Sequence, residues 1–349
     1  MTTDEFIGET IGATPLRIGS LHLTGRAFLA PMAGVTDLAM RRIALRFGAS
    51  AAVGEMVGAS ALARGDVEAR QRLEGSGIDA HIVQIAARDP AGIAETARQA
   101  EAAGARLIDI NMGCPCKRVT GGLAGAALMR EPALAAELVR AAVGAVSVPV
   151  SVKMRLGWDD ANRNAAELAR LVEAEGAVMV TVHGRTRAQF YEGRADWRAI
   201  AAVKSAIKIP VVANGDCASP QDAAAMLAAS GADAVMVGRA AMGRPWLVGD
   251  IAHFLATGRR RAEPSATARM EAALEHLDGL LTAMGANLGL RHARKHLSAY
   301  AEQAEGDAEA RAGLRRAMLA SSSAEEVRGL LRLLFSLEPA RGEPAPAYC

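Results

Sequence analysis

Between residues 27 and 247 the chain repeats one alternation: a short apolar run, an alanine-rich stretch with apolar residues at three- and four-residue spacing, and a turn signal. The runs are "AFLAPMAG" (27–34), "ASAAVGEMV" (49–57), "HIVQIAA" (81–87), "LIDINMG" (107–113), "PVSVKMRLG" (149–157), "VMVTVHG" (178–184), "PVVANGD" (210–216) and "AVMVGRA" (234–240). Several are apolar on both faces, as strands of a helix-covered parallel sheet must be. The punctuation between them agrees, since Pro90 opens and Gly104 follows the helical stretch "PAGIAETARQAEAAG". Eight such units in about 220 residues predict an α/β fold of the (β/α)8, or TIM-barrel, class rather than an open doubly wound sheet. The second run is the least strand-like, because its alanines also suit a helix.

A break follows in "FLATGRRRAEPSATA" (254–268), where Gly258, three consecutive arginines and Pro264 interrupt the alternation. Beyond it the helical period continues with no strand-like run. The expected organisation is a barrel domain over 1–253, a linker over 254–264, a C-terminal all-helical domain over 265–337 and a disordered Pro- and Glu-rich tail over 338–349.

Forty basic against 38 acidic residues leave a net charge of +2, so bulk charge neither demands nor excludes a polyanion. Four cysteines (Cys114, Cys116, Cys217, Cys349) are too few to staple a chain of 349 residues. The start "MTTDEFIGET" lacks the basic and apolar regions of a signal peptide, and no uncharged apolar run reaches the roughly 18 residues of a membrane span. A reduced, cytoplasmic protein with no membrane partner is expected. Aromatic residues at 3% argue against binding through many stacked bases, but one extracted base needs few rings.

In a barrel of this class the working groups stand at the C-terminal strand ends. Taking the end of each run collects Pro31, Met32 and Ala33, then Glu55, Gln84, Asn111 with Cys114, Lys153 with Arg155, His183 with Arg185, Asn214 to Asp216, and Gly238 with Arg239. A polar group at nearly every apolar strand end is a constellation, whereas any one alone is weak. Loops after the last two strands commonly bind phosphate, so Gly215 and Gly238 are expected to let backbone N–H groups approach an anion and Arg239 to supply charge. The plain alternative is that these glycines only make turns. Lys153 is open to three readings: a Schiff-base nucleophile, a fixed cation beside an electron-rich ring, or a solvated strand-end lysine. A lone His183 is more often structural than catalytic; the clustering favours function.

Cys114 sits between Gly113 and Pro115, which aim its thiol out of the strand end. Cys116 does not make a zinc site, because no Cys-x-x-Cys and no further ligands at the right spacing occur. A Cys114–Cys116 disulfide would be strained. A thiol titrating near 8.5 is mostly protonated at neutral pH and can donate a proton as well as attack. The glycines of "VTGGLAG" read as a mobile lid, with a plain turn as the alternative.

Together "APMAGVTD", "NMGCP", "VSVKMRLGWDD", "TVHGRTR", "VVANGD" and "VMVGRAAMGRPW" resemble the tRNA-dihydrouridine synthases, especially the DusB-like bacterial branch, in order from about residue 16 to 300. The resemblance implies an FMN-containing barrel and a helical domain that grips tRNA, reducing the C5=C6 bond of D-loop uridines with NADPH. It implies that Pro31, Met32 and Ala33 underlie the flavin, that Gln84, Lys153 and His183 meet its polar edge, and that Asn214, Gly215, Asp216, Gly238 and Arg239 hold its phosphate. Cys114 would be the acid that protonates C5, with Asn111 and Arg155 facing the uracil. In "RHARKH", Arg291, Arg294 and Lys295 fall at i, i+3 and i+4, and the resemblance tips this basic face toward RNA. Cys116 stands where the family often has a small residue without a thiol.

The rival readings are an FMN barrel oxidising or reducing a small molecule of dihydroorotate or enoate type, a Schiff-base aldolase, and a non-catalytic RNA-binding protein on the same scaffold. The sequence carries no nucleotide fingerprint to separate NADPH from NADH, and nothing in it speaks against a monomer.

Overall fold

The computed structural model describes residues 15–337. The expected disordered tail and the N-terminal start lie outside the described residues.

Each apolar run contributes to one parallel sheet. The strands are β3 (Ala27–Leu29), β4 (Ala51–Ala52), β5 (Val57–Gly58), β6 (Ile82–Ala86), β7 (Leu107–Met112), β8 (Val150–Arg155), β9 (Val180–His183), β10 (Val211–Asn214) and β11 (Ala234–Val237), hydrogen-bonded in the order β4-β3-β11-β10-β9-β8-β7-β6-β5. The second run supplies both β4 and β5, so it is one strand broken in two. Its middle closes the ring: Val53 bridges to Ile82, and the Gly54 N–H donates to the Ile82 carbonyl at 3.0 Å. The eight runs therefore make the expected (β/α)8 barrel. The break turns Glu55 toward the rim, where its Oε2 accepts the Gly34 N–H at 2.6 Å.

An antiparallel hairpin that the alternation does not announce precedes the barrel: β1 (Leu16–Ile18) and β2 (Leu21–Leu23). Three-residue strands give too few alternations for a periodicity argument. The inward residues Leu16, Ile18, Leu21 and Leu23 join Phe28, Leu107, Met179, Val212 and Met236 in one buried cluster that floors the barrel interior. A second, larger cluster fills the space between the strands and the surrounding helices.

Side chains alternate across a strand, so residues two apart share a face. Starting from the floor, this carries β6 from Ile82 to Gln84, β7 from Leu107 to Asp109 and Asn111, β9 from Met179 to Thr181 and His183, and β10 from Val212 to Asn214. Ser151, Lys153 and Arg155 follow the same parity on β8. The interior thus changes from apolar to polar along the strand direction. The expected punctuation also holds: Asp89 caps the helix Pro90–Ala102 by accepting the Gly92 N–H at 2.7 Å, and Gly104 takes the left-handed conformation at φ 91°.

The chain divides into two compact units: the first runs through Ala241 and resumes over Trp246–Arg261, and the second takes Met242–Pro245 and resumes at Ala262. The helix Leu247–Thr257, which crosses residue 253, belongs to the first. Among its described residues the second unit holds only helices: Ala266–Gln303, broken at Gly285 (φ 76°), then Ala308–Ala320 and Ala324–Ser336. Past the break Gly289 packs on the Leu280 backbone, where an added Cβ would come within 2.5 Å of the carbonyl oxygen. Leu277, Leu297, Tyr300, Met318, Leu331 and Phe335 are buried in this unit.

Candidate active site

The polar ladder inside the barrel is tied by directional hydrogen bonds. Asp109 lies deepest, with Oδ1 accepting from Ser151 Oγ and Oδ2 from Gln84 Nε2, both at 2.7 Å. Gln84 Oε1 accepts from Asn111 Nδ2 at 2.7 Å, and Asn111 Oδ1 accepts the Cys114 N–H at 2.9 Å. Burial pushes the Asp109 carboxyl above its ordinary value against the pull of the Gln84 and Ser151 bonds and the Lys153 charge.

Across the barrel, Lys153 Nζ donates to Asn214 Oδ1 at 2.9 Å, and Asn214 Nδ2 donates to the Met236 carbonyl at 2.8 Å. The Met236 bond orients the amide so that oxygen faces the lysine. Burial, helped by the Arg155 charge, lowers the Lys153 ammonium to about 8. His183 falls well below its ordinary value through burial and the cations Lys153, Arg155, Arg185 and Arg239, so its imidazole is neutral at neutral pH. Its Nδ1 and the Thr181 hydroxyl are buried and have no hydrogen-bond partner among the described residues. Both atoms are therefore free to meet a polar group of a bound molecule.

Beyond the ladder an ionic lattice sets the loops. Arg185 is buried and grips both Asp216 oxygens, at 2.9 and 2.7 Å, while also donating to the Glu192 and Gly193 carbonyls. Burial pushes the Asp216 carboxyl up, but Arg185, the Ala195 N–H and the Arg239 charge outweigh it and hold the group below the usual range. Arg155, lowered to about 10 by burial, donates to the carbonyls of Gly113, Thr186 and Phe190. Arg155 and Arg239 both lie over the ring of Tyr191, 5.5 and 4.5 Å from its centroid.

The two rim glycines differ. Gly215 adopts φ 117°, and a Cβ there would meet Ala195 Cβ at 2.8 Å, so the turn itself requires glycine. At Gly238 an added Cβ would touch nothing nearer than Met32 Sδ at 3.8 Å, so the chain's own packing does not demand glycine. Outside the helices and the sheet ladders, no acceptor among the described residues takes the N–H groups of Gly215, Gly238 or Arg239. Asn214 and Asp216 turn their side chains to Lys153 and Arg185, so an anion at this rim has the three backbone N–H groups and the Arg239 guanidinium to meet.

Cys114 is half-buried at the mouth, and burial raises its thiol above the ordinary value; the Cys116 N–H and the cations Arg155 and Lys153 pull the other way. Cys114, Cys116 and Cys217 are free thiols. The stretch read as a lid holds a single helical turn, Lys117–Thr120, and then folds back. Gly125 (φ 59°) lies where a Cβ would come within 2.9 Å of the Cys114 oxygen, and the Ala126 N–H donates to that oxygen at 3.0 Å.

The barrel thus gathers Cys114, Asn111, Gln84, Lys153, Arg155, His183, Asn214, Gly215, Asp216, Gly238 and Arg239, with Pro31, Met32 and Ala33 on the neighbouring loop after β3. Arg291, Arg294 and Lys295 belong to the helical unit. Motif reading passes over Asp109, Ser151 and Thr181, although each lies two residues before a residue it does single out. It also passes over Tyr191 and Trp158; Arg130 and Arg187 stack on the latter at 3.9 and 4.5 Å.

Comparison with known proteins follows the same line as the motifs. The family model described as dihydrouridine synthase matches residues 28–334, through both units. A probable tRNA-dihydrouridine synthase of Rhodobacter capsulatus is 47% identical over 323 residues, covering 92% of this chain and 98% of that relative. One from Rickettsia conorii is 46% identical over 301 residues (85% and 90%), and tRNA-dihydrouridine synthase B of Xanthomonas axonopodis pv. citri is 46% identical over 303 (86% and 91%). Among solved structures, histamine dehydrogenase from Rhizobium sp. 4-9 superposes with a TM-score of 0.56 over 82% of this chain at 15% identity. This chain spans only about half (51%) of that one, so the likeness is one of fold alone. Motifs, barrel and relatives at this identity and coverage agree: the chain belongs to the dihydrouridine synthase family.

Proposed function

We propose that this protein reduces the C5=C6 bond of uridines in the tRNA D-loop, with FMN as hydride carrier, NADPH as reductant and Cys114 as the acid. The observation that carries the reading is the half-buried Cys114 thiol at the barrel mouth, within reach of the Arg155 and Lys153 charges and raised by burial above its ordinary value, in a chain of this family.

The orphaned His183 Nδ1 and Thr181 hydroxyl, the Gly238 gap and the untaken N–H groups fit a flavin mononucleotide. Lys153, His183 and Gln84 would hold its polar edge; Gly215, Gly238 and Arg239 its phosphate; and Pro31, Met32 and Ala33 one face. When bound, FMN supplies the hydride that uracil accepts at C6. As charge builds on the uracil, Cys114 gives its proton to C5. The thiolate left behind is stabilised by the Arg155 and Lys153 charges. Asn214 keeps Lys153 in place. Asn111 and Arg155 orient the uracil with the donors their bonds to the protein leave over.

Extracting the base costs a few kcal/mol, which phosphate contacts elsewhere must offset. We assign these to the helical unit as its tRNA-binding role. On the helical segment after Gly285, Arg291, Arg294 and Lys295 share one face and, among the described residues, none pairs with a carboxylate. Replacing all three by Ala is expected to weaken tRNA binding and flatten its salt dependence by about one unit of slope for each phosphate that is no longer neutralised. Affinity measured from low to high salt checks this, and an unchanged slope returns the patch to a solvated surface.

The direct test is an anaerobic absorption spectrum. An oxidised flavin band that NADPH bleaches and unmodified tRNA restores supports the whole reading. Bleaching without restoration moves the substrate to a small molecule. A colourless protein that binds tRNA removes the catalytic role.

A further inference from the structure

The hydrogen-bond chain from Asp109 to Cys114 has only one self-consistent direction. Asp109 Oδ2 accepts from Gln84 Nε2, so Gln84 turns its NH2 to Asp109 and its oxygen to Asn111. Asn111 must then present its NH2 to Gln84, which leaves its oxygen for the Cys114 and Gly113 N–H groups at 2.9 and 3.2 Å. Gln84, Asp109 and Asn111 are buried, so no bulk water can stand in for a missing partner. Ser151 occupies the other Asp109 oxygen and holds the carboxylate plane.

We propose that Asp109 is a positioning residue: acting through Gln84 and Asn111, it dictates which end of the Asn111 amide meets the Cys114 peptide and so holds the thiol at the barrel mouth. Its importance for uridine reduction rests on the function proposed above; its control of Cys114 does not. With an amide at 109, that residue can offer NH2 to Gln84, both amides can turn, and Asn111 then sets a donor against the Cys114 N–H. Two donors facing each other release the Gly113–Cys114 peptide from its anchor.

The test is Asp109→Asn, read by site-resolved alkylation with iodoacetamide and peptide mass spectrometry. Cys116 is exposed and serves as the reference, while buried Cys217 reports any general loosening. The expected result is Cys114 alkylation at least about tenfold faster at neutral pH, with its pH midpoint moved down toward the free-thiol value near 8.5, and Cys217 still protected. In the same protein uridine reduction slows at least about tenfold, as a displaced acid requires. Unchanged Cys114 reactivity and pH midpoint overturn the proposal, and so does a parallel rise at Cys217. If Asp109→Asn does not fold, Gln84→Met cuts the same chain and is read identically. A parent protein that reduces no uridine, with Cys114 alkylation still governed by residue 109, sinks the functional reading and leaves the positioning inference standing.

Discussion

Replacing Cys114 by alanine is expected to slow uridine reduction by at least about a hundredfold, the range of a lost general acid, while flavin content and tRNA affinity stay within a factor of a few. The separation follows from the geometry. The backbone of Cys114, rather than its thiol, bonds to Asn111 and Ala126, so the substitution removes a half-buried sulfur and leaves the loop anchored. Rapid mixing of reduced enzyme with unmodified tRNA isolates the step, and the NADPH half-reaction in the same protein is the control. A near-parental rate of reoxidation would show that the proton comes from elsewhere. Because burial holds the thiol above its ordinary value, the parent's donor form persists throughout the neutral range.

Lys153→Met is expected to abolish most activity and to make the cofactor-free fold more stable. Burial lowers the Lys153 ammonium from 10.5 in the unfolded chain to about 8 in the folded one. The folded state therefore binds the proton less well. Its penalty is fully present below about pH 8, shrinks as pH rises, and is gone above about 10.5. At neutral pH that penalty is on the order of 3 kcal/mol, and losing the bond to Asn214 gives back roughly 1. A net gain of about 2 kcal/mol is expected at pH 7. Denaturant titrations at pH 7 and above pH 10 check the sign: the gap between the proteins should narrow at the higher pH. A variant less stable than the parent at both values contradicts the assignment of a strained, charged lysine. The parent's activity should also fall as pH passes about 8, when Lys153 loses its proton.

Legibility was uneven, for physical reasons. The barrel followed from patterning, because strands buried on both faces must be apolar and helices around them must be amphipathic. Even the weakest run found its cause: it is a strand broken around Gly54 and Glu55, held to both neighbours by a few bonds. The hairpin at 16–23 escaped because three-residue strands have no measurable period. At the site, strand-end position was enough to collect Cys114, Lys153, Arg155, His183 and the rim glycines. It could not assign their partners, since Asn214 and Lys153 are 61 residues apart and Arg185 and Asp216 are 31 apart.

What the sequence determined by itself is therefore whatever depends on period and neighbours: the eight strand–helix units, the placing of polar residues at strand ends, the capping of helices, and the motifs that mark the family. The remaining features depend on distance across the barrel. Closure of the ring brings Asp109 under Gln84 and Asn111, commits Asn214 and Asp216 to neighbouring cations, and leaves His183 and Gly238 open to a ligand. A side chain's ionisation and hydrogen-bond direction are set by burial and by groups remote in the chain, and neither has a local signature to read.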